Sequence, residues 1–265
     1  KRFDIVGKAR RRVDGRSKVT GALRYADDLF MPRMLAAKLL RSPHPHAVVE
    51  QIETERAKTH PGVHLVLTGR DFPIPFGIMP VSVDEYPLAR ERVRYVGDPV
   101  AAVIARDEQT AAEALELIEV RYKLLKPIAG PEEALASPEP RTHDYGEQGN
   151  FHRNQSYEFG RVDEALAKSD LVFEDLFFYE GNTHLPMEQQ ASLARLDADG
   201  RLELCSSTQN PHYLHRQLAR VLQIPEARIR VIATPNGGGF GGKSDPFNHE
   251  VVVAKLSLLA RRPGT

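Results

Sequence analysis

The chain has 265 residues, 41% hydrophobic and 27% charged, with Lys plus Arg equal to Asp plus Glu at 36 each. This composition describes a soluble globular protein with room for two medium domains or one large one. The balanced charge gives no field for nucleic acid or a membrane surface, and no apolar run approaches bilayer-spanning length.

The N-terminal Lys1-Arg2-Phe3-Asp4 lacks the apolar core of a secretion signal. A cytoplasmic protein, with no nucleic-acid and no membrane partner, is the expectation. The single cysteine, Cys205, excludes an intrachain disulfide framework and a four-cysteine zinc or iron–sulfur site. Within Leu202-Glu203-Leu204-Cys205 it reads as a small core hydrophobe.

Strand-like runs occupy 34–40, 63–68, 100–104 and 118–122. Asp107 opens a helix between the last two, with Ala111 and Leu115 on one face. Strands alternating with helices argue α/β or α+β packing. The Pro/Glu/Ala-rich stretch 126–141 reads as a surface connector. A second half starts near Asn154. Strands at 190–196 and 201–206 are joined by the turn signal Asp197-Ala198-Asp199-Gly200. Asn210 is the expected cap of a helix with Pro211 at its first position, an apolar stripe of Leu214, Leu218, Val221 and Leu222, and a stop at Pro225. No internal repeat is apparent.

A strand at 228–232 then leads into Gly237-Gly238-Gly239-Phe240-Gly241-Gly242-Lys243, followed by a helix-like run at 248–259. A glycine run between strand and helix lets the backbone approach a ligand closely. It also leaves N–H groups to meet an anion, with the positive helix end behind them. A cofactor with phosphate or oxo groups is the first expectation. The run satisfies both the dinucleotide fingerprint and the P-loop pattern, so at least one match is accidental. Neither the acidic residue after a second strand nor the strand with a magnesium-binding aspartate follows. A glycine loop serving a tight turn alone is the plainer reading.

Thr208-Gln209-Asn210-Pro211 could bind polar ligand groups through its amides, or simply cap a helix. His184 and Glu188 have helical spacing, but Pro186 between them argues against a metal-binding helix. His44 and His46 lie among prolines without a nearby third ligand and read as loop structure. No nucleophile-elbow pattern and no activated cysteine supports a hydrolase.

Five phrases then occur in one order. They are 19–28 (Val-Thr-Gly-Ala-Leu-Arg-Tyr-Ala-Asp-Asp), Leu40-Arg41-Ser42-Pro43-His44 with Pro61-Gly62-Val63, 93–103, Thr208-Gln209-Asn210-Pro211, and 237–243. Together they resemble the N-terminal part of the molybdenum-binding large subunit of the xanthine oxidase/aldehyde oxidase family. The resemblance covers nearly the whole chain and makes the P-loop and dinucleotide matches accidental. It implies an α+β fold: an α/β hammerhead domain with an N-terminal arm over 1–125, a connector at 126–153, and the N-terminal part of a molybdopterin-binding domain over 154–265.

The same resemblance implies a molybdenum-molybdopterin cofactor, in its dinucleotide form. It assigns cofactor contacts to Gln209, Gly238, Gly239, Phe240, Gly241, Gly242 and Asn182, with Phe240 and Gly241 beside the metal. Ser244 stands where xanthine oxidases carry a purine-binding Glu, and Asn182 stands where they carry the Gln that bonds the oxo group; both departures argue against a purine. Segments 74–80 and 85–90 are most similar to the 4-hydroxybenzoyl-CoA reductase large subunit. The implied function is an oxidoreductase that hydroxylates or reductively dehydroxylates an aromatic or aldehyde-type substrate. The alternatives are an aldehyde, xanthine or carbon monoxide dehydrogenase-type subunit, or a non-catalytic assembly module.

Iron–sulfur and FAD groups belong on partner chains by the same resemblance. Its general-base Glu falls beyond residue 265, so no catalytic residue is expected here. A fragment or divided subunit, inactive without the remainder of the large subunit, is the expectation.

Overall fold

The computed structural model describes residues 3–77, 79, 83–144 and 149–265. The first part of the chain forms α1 (Gly15–Val19), β1 (Ala36–Arg41), β2 (Ala47–Glu53), α2 (Glu55–Lys58), β3 (Val63–Thr68), β4 (Arg92–Val93), β5 (Pro99–Ala105), α3 (Glu108–Leu115) and β6 (Glu119–Leu124). Next come α4 (Pro131–Ala136), α5 (Val162–Ala167), β7 (Ser192–Leu196), β8 (Leu202–Ser206), α6 (Pro211–Leu222), β9 (Ile229–Ala233) and α7 (Asn248–Ala260). The chain divides into two contact units, one of residues 1–124 with 186–265 and one of 125–185.

The first unit carries three small sheets, ordered β1-β5-β3, β4-β2-β6 and β7-β8-β9. In the first, β5 pairs antiparallel with both neighbours and is buried along its whole length. Its alanines 101, 102 and 105 present little bulk, and the buried Ala111 and Ala114 of α3 join the same cluster as two of them. Asp107 opens α3 as expected, its carboxylate accepting the Thr110 N–H at 2.7 Å. β2 is not among the expected strands, although Val48, Val49 and Ile52 are β-branched. β4 and β6, distant in the chain, pair with its two edges.

The β7–β8 pair is the expected hairpin, closed by Gly200 at φ 71°. β8 and β9 run parallel, with α6 as the crossover. α6 buries Leu214, Leu218 and Val221. It ends at Gln223 in the left-handed conformation, φ 55°, before the expected stop at Pro225 is reached. α7 is apolar on every side, burying Val251, Val252, Val253, Ala254 and Leu256, as a helix inside a core must. Each such Val or Leu contributes roughly 1.5–3 kcal/mol of burial.

Gly264 lies between two sheets. Its N–H and C=O pair with Ala194, while Pro263 and Thr265 bond to Leu35 and Ala37. The sheet containing β1 and the sheet containing β7 are thereby stitched within one unit. The second unit holds α4, α5 and, over residues 171–185, a segment without helix or strand. No helix among the described residues is long and apolar enough to cross a membrane.

Candidate cofactor site

The glycine run leaves the end of β9 and folds into a loop with Gly238 at φ 111°, Phe240 at φ 52° and Gly241 at φ 88°. One carboxylate ties its two ends. Glu188 Oε2 accepts the Gly237 N–H at 2.6 Å and the Lys243 Nζ–H at 2.6 Å. Lys243 is 1% exposed, so this ion pair is buried. The other oxygen, Glu188 Oε1, is buried with no partner among the described residues.

A second clasp comes from Gln209. Its Oε1 accepts the Lys243 N–H at 3.2 Å and the Ser244 hydroxyl at 3.4 Å, and its own backbone N–H donates to Lys243 O at 2.8 Å. Gln190 Nε2 donates to Gly242 O at 2.9 Å. Inside the loop, Gly242 N–H donates to Gly239 O and Ser244 N–H to Gly241 O.

These clasps explain two of the glycines. A Cβ on Gly237 would lie 2.7 Å from Glu188 Cβ, and one on Gly239 would lie 2.6 Å from Gln209 Cδ and Oε1. At both positions the close approach is made by the chain's own side chains. The apex is different. The N–H groups of Gly238, Gly239, Phe240 and Gly241 make no hydrogen bond among the described residues. Phe240 projects its ring outward, 75% exposed. Gln209 is exposed, and its Nε2 has no acceptor among the described residues. Successive free N–H groups on a strand-to-helix loop form an anion-receptive concavity.

Asn210 does not cap α6 with its side chain. Its Nδ2 donates instead to Ser244 O at 2.9 Å, because the glycine loop lies within reach and offers an acceptor. Asn236 Nδ2 donates to Thr208 O at 3.1 Å. The Thr208-Gln209-Asn210 stretch therefore supports the loop from below, and Ser244 is turned toward Gln209. Asn182 and His184 lie in the unit of residues 125–185, both exposed and outside any helix or strand.

His44 packs edge-on against Tyr122, ring centroids 5.0 Å apart. No group of His, Cys, Asp and Glu among the described residues could hold a metal ion. Cys205 is buried in β8, as read from sequence. In segments 74–80 and 85–90, Phe76 and Glu85 pair through their backbones, while Ile78 and Pro80 lie outside the described residues.

Behind the loop, burial pushes the Glu250 carboxyl up to about 7, against hydrogen bonds from the Ser206 hydroxyl and the Phe247 N–H. Burial also pushes the neighbouring His249 down to about 4, helped by the Arg41 guanidinium. His249 and Arg41 line a cleft of about 360 Å³ together with Lys38, Gln190 and Ser192. Sequence reasoning missed Glu188 as the loop's anchor, because its partner Lys243 is 55 positions away.

Residues 20–126 match the aldehyde oxidase and xanthine dehydrogenase a/b hammerhead domain, and residues 142–264 match the molybdopterin cofactor-binding domain. Over 98% of its length the chain is 42% identical to a probable xanthine dehydrogenase subunit from Bacillus subtilis (strain 168). The chain belongs to the xanthine dehydrogenase/aldehyde oxidase family. It is also 36% identical, over 99% of its length, to the nicotinate dehydrogenase large molybdopterin subunit of Eubacterium barkeri.

Among solved structures, quinoline 2-oxidoreductase from Pseudomonas putida 86 superposes over 96% of the chain with a TM-score of 0.85 at 32% identity. The chain spans 34%, 61% and 33% of these three proteins respectively. Its fold is the family's hammerhead domain followed by the start of the molybdopterin-binding domain.

Proposed function

We propose that residues 1–265 form part of the large subunit of a molybdenum-pterin oxidoreductase and that the apex of the glycine loop receives the cofactor. One observation carries this reading: the N–H groups from Gly238 to Gly241 are free among the described residues, while both ends of the same loop are clamped. A group bearing oxo or phosphate oxygens fits such donors. Bound there, a molybdenum pterin supplies two-electron redox chemistry.

The chain's own contribution is to hold and orient. Gln209 Nε2 and the free N–H groups would donate to the cofactor, Phe240 and Gly241 would border the metal, and Gly242 is fixed through its carbonyl by Gln190. The resemblance gives Asn182 the place of the glutamine that bonds the oxo group, and Ser244 the place of the purine-binding glutamate. The pterin in dinucleotide form, iron–sulfur and FAD groups on partner chains, and the remainder of the large subunit complete the working enzyme. No base is assigned to this chain, and residues 1–265 alone are inactive in this reading.

For substrate we favour an aromatic ring. The relatives' names point to xanthine, nicotinate and quinoline but also to carbon monoxide and aldehydes, so kinship does not choose the class. Ser244 and Asn182 turn the choice away from purines, and segments 74–80 and 85–90 make 4-hydroxybenzoyl-CoA the first candidate. The test is metal analysis of the protein purified with its partner chains, followed by turnover of aromatic acyl-CoA, aldehyde and xanthine substrates. About one molybdenum per large subunit is expected, with xanthine slow. Absence of molybdenum would leave a non-catalytic assembly module. Fast xanthine turnover would refute the substrate choice.

A further inference from the structure

A cleft of about 280 Å³ opens in the first unit between β2, β3 and the turn Gly69–Asp71. Arg70 and Arg90 both line it, and the backbone brings them together. A Cβ on Gly69 would lie 2.3 Å from Ala89 O and 2.8 Å from Arg90 Cα, so the turn that carries Arg70 rests directly on the chain that carries Arg90. Only glycine permits that approach. The turn is also fixed at its far end: Asp71 Oδ2 accepts the Thr68 N–H at 2.8 Å, and Asp71 O accepts from Lys255 Nζ.

Neither guanidinium has a carboxylate partner among the described residues. Arg70 makes no hydrogen bond and no ion pair there. Arg90 Nη1 donates to Pro73 O at 3.5 Å, and its guanidinium stands 5.3 Å above the Tyr86 ring, which holds it in place without neutralising it. The two carboxylates of the lining are engaged elsewhere, Glu50 with Arg121 at 3.5 Å and Asp71 with the turn it closes. Lys58, the third cation of the lining, pairs with Glu55 on its own helix.

We propose that this cleft binds a small molecule through one phosphoryl group held between Arg70 and Arg90. Guanidinium forks match phosphate oxygens bidentately. A phosphate monoester is close to a dianion at neutral pH and answers both arginines at once, which a lone carboxylate does not. Glu50 and Asp71 on the same lining oppose a longer polyphosphate. The cleft is larger than a bare phosphate needs, and Ile52 and Val66 give it apolar wall, so the ligand carries a small organic part. No residue of the glycine loop lines the cleft, and the inference does not rest on the proposed function.

The experiment uses the complete large subunit purified with its partner chains. Inorganic phosphate, ribose 5-phosphate and adenosine 5′-monophosphate are titrated by calorimetry at low ionic strength, with benzoate as the carboxylate control. At least one of the two esters should bind with a Kd below ~1 mM and at least ~10-fold more tightly than benzoate. Arg70→Gln and Arg90→Gln should each weaken that binding by ~10-fold or more, and the double variant should show none. Arg70→Lys keeps the charge without the fork and should fall between. On the unsubstituted protein, modification of Arg70 and Arg90 by phenylglyoxal, mapped by mass spectrometry, should be slowed by the ester that binds.

No ester binding by the unsubstituted protein up to ~10 mM would overturn the proposal. So would undiminished binding by the double variant, which would put the anion elsewhere, the glycine loop included. Benzoate bound as tightly as the esters would overturn the choice of a phosphoryl group. Phenylglyoxal modification of both arginines at the same rate with and without ester would also overturn it, and that reading needs no variant to fold.

Discussion

Glu188 and Lys243 are 55 positions apart in sequence and 2.6 Å apart in space, and between them they close the glycine loop. The same carboxylate oxygen also takes the N–H of Gly237. Loop entry and loop exit thus share one acceptor. The loop's shape is set by the protein before any ligand arrives, which is what a preorganised binding site needs.

Removing one partner of a buried pair strands the other charge. Glu188→Ala should therefore cost on the order of 3–5 kcal/mol, read as a lower urea midpoint, and should empty the enzyme of molybdenum. Glu188→Gln, which keeps an acceptor for Gly237, should lose less. Glu188→Leu combined with Lys243→Met should recover stability without recovering molybdenum. An unchanged midpoint for Glu188→Ala would show that the pair is not formed.

Gly239→Ala places a methyl group on the Gln209 amide. The side chain must swing away and release Lys243 N–H, at a cost of about 0.5–1.5 kcal/mol. Gln209→Ala makes room, so adding Gly239→Ala to it should cost almost nothing further. Equal penalties in the two backgrounds, measured by thermal unfolding, would contradict the contact.

Gly241 sits at φ 88°, where a β-branched residue is strained by roughly 1–3 kcal/mol. Gly241→Val should leave the subunit folded by circular dichroism but unable to retain the cofactor. Normal molybdenum content in that variant would remove Gly241 from the site.

Glu250 makes stability depend on pH. Its folded value of about 7 stands above its ordinary 4.5, so the stabilisation is complete below pH 4.5 and is lost as pH rises through about 7. The loss is on the order of 3 kcal/mol. His249, lowered from 6.5 to about 4, acts in the opposite sense, destabilising as pH falls through that window. The two slopes offset in wild type. Glu250→Gln removes only the first, so the difference in melting temperature between variant and wild type should shift in the variant's favour from pH 5 to pH 8. A difference independent of pH would count against the buried carboxyl.

Elements with a local cause were legible from residue pattern alone. Asp107 reads as a helix cap because its acceptor meets a donor three residues on. The α6 stripe reads from its spacing, and the Asp197–Gly200 turn from its composition. Asn210 misled for the complementary reason: its side chain had a distant competitor, Ser244 O, that sequence does not place. β2 escaped although Val48, Val49 and Ile52 are β-branched, because Glu50 and Gln51 interrupt its apolar run and its partners β4 and β6 are distant in the chain.

The sequence by itself determined the location of the loop between a strand and a helix, since glycine content, turn chemistry and hydrophobic period are local properties written residue by residue; the family and the order of its two domains came from the resemblance carried by five phrases in order. The tertiary structure alone decided which glycines serve the protein and which face outward. Gly237 and Gly239 are small because Glu188 and Gln209 press on them, and Gly238 to Gly241 keep free N–H groups because no acceptor among the described residues meets them. Those are relations between atoms distant along the chain, fixed by packing and by the need to pair a buried charge.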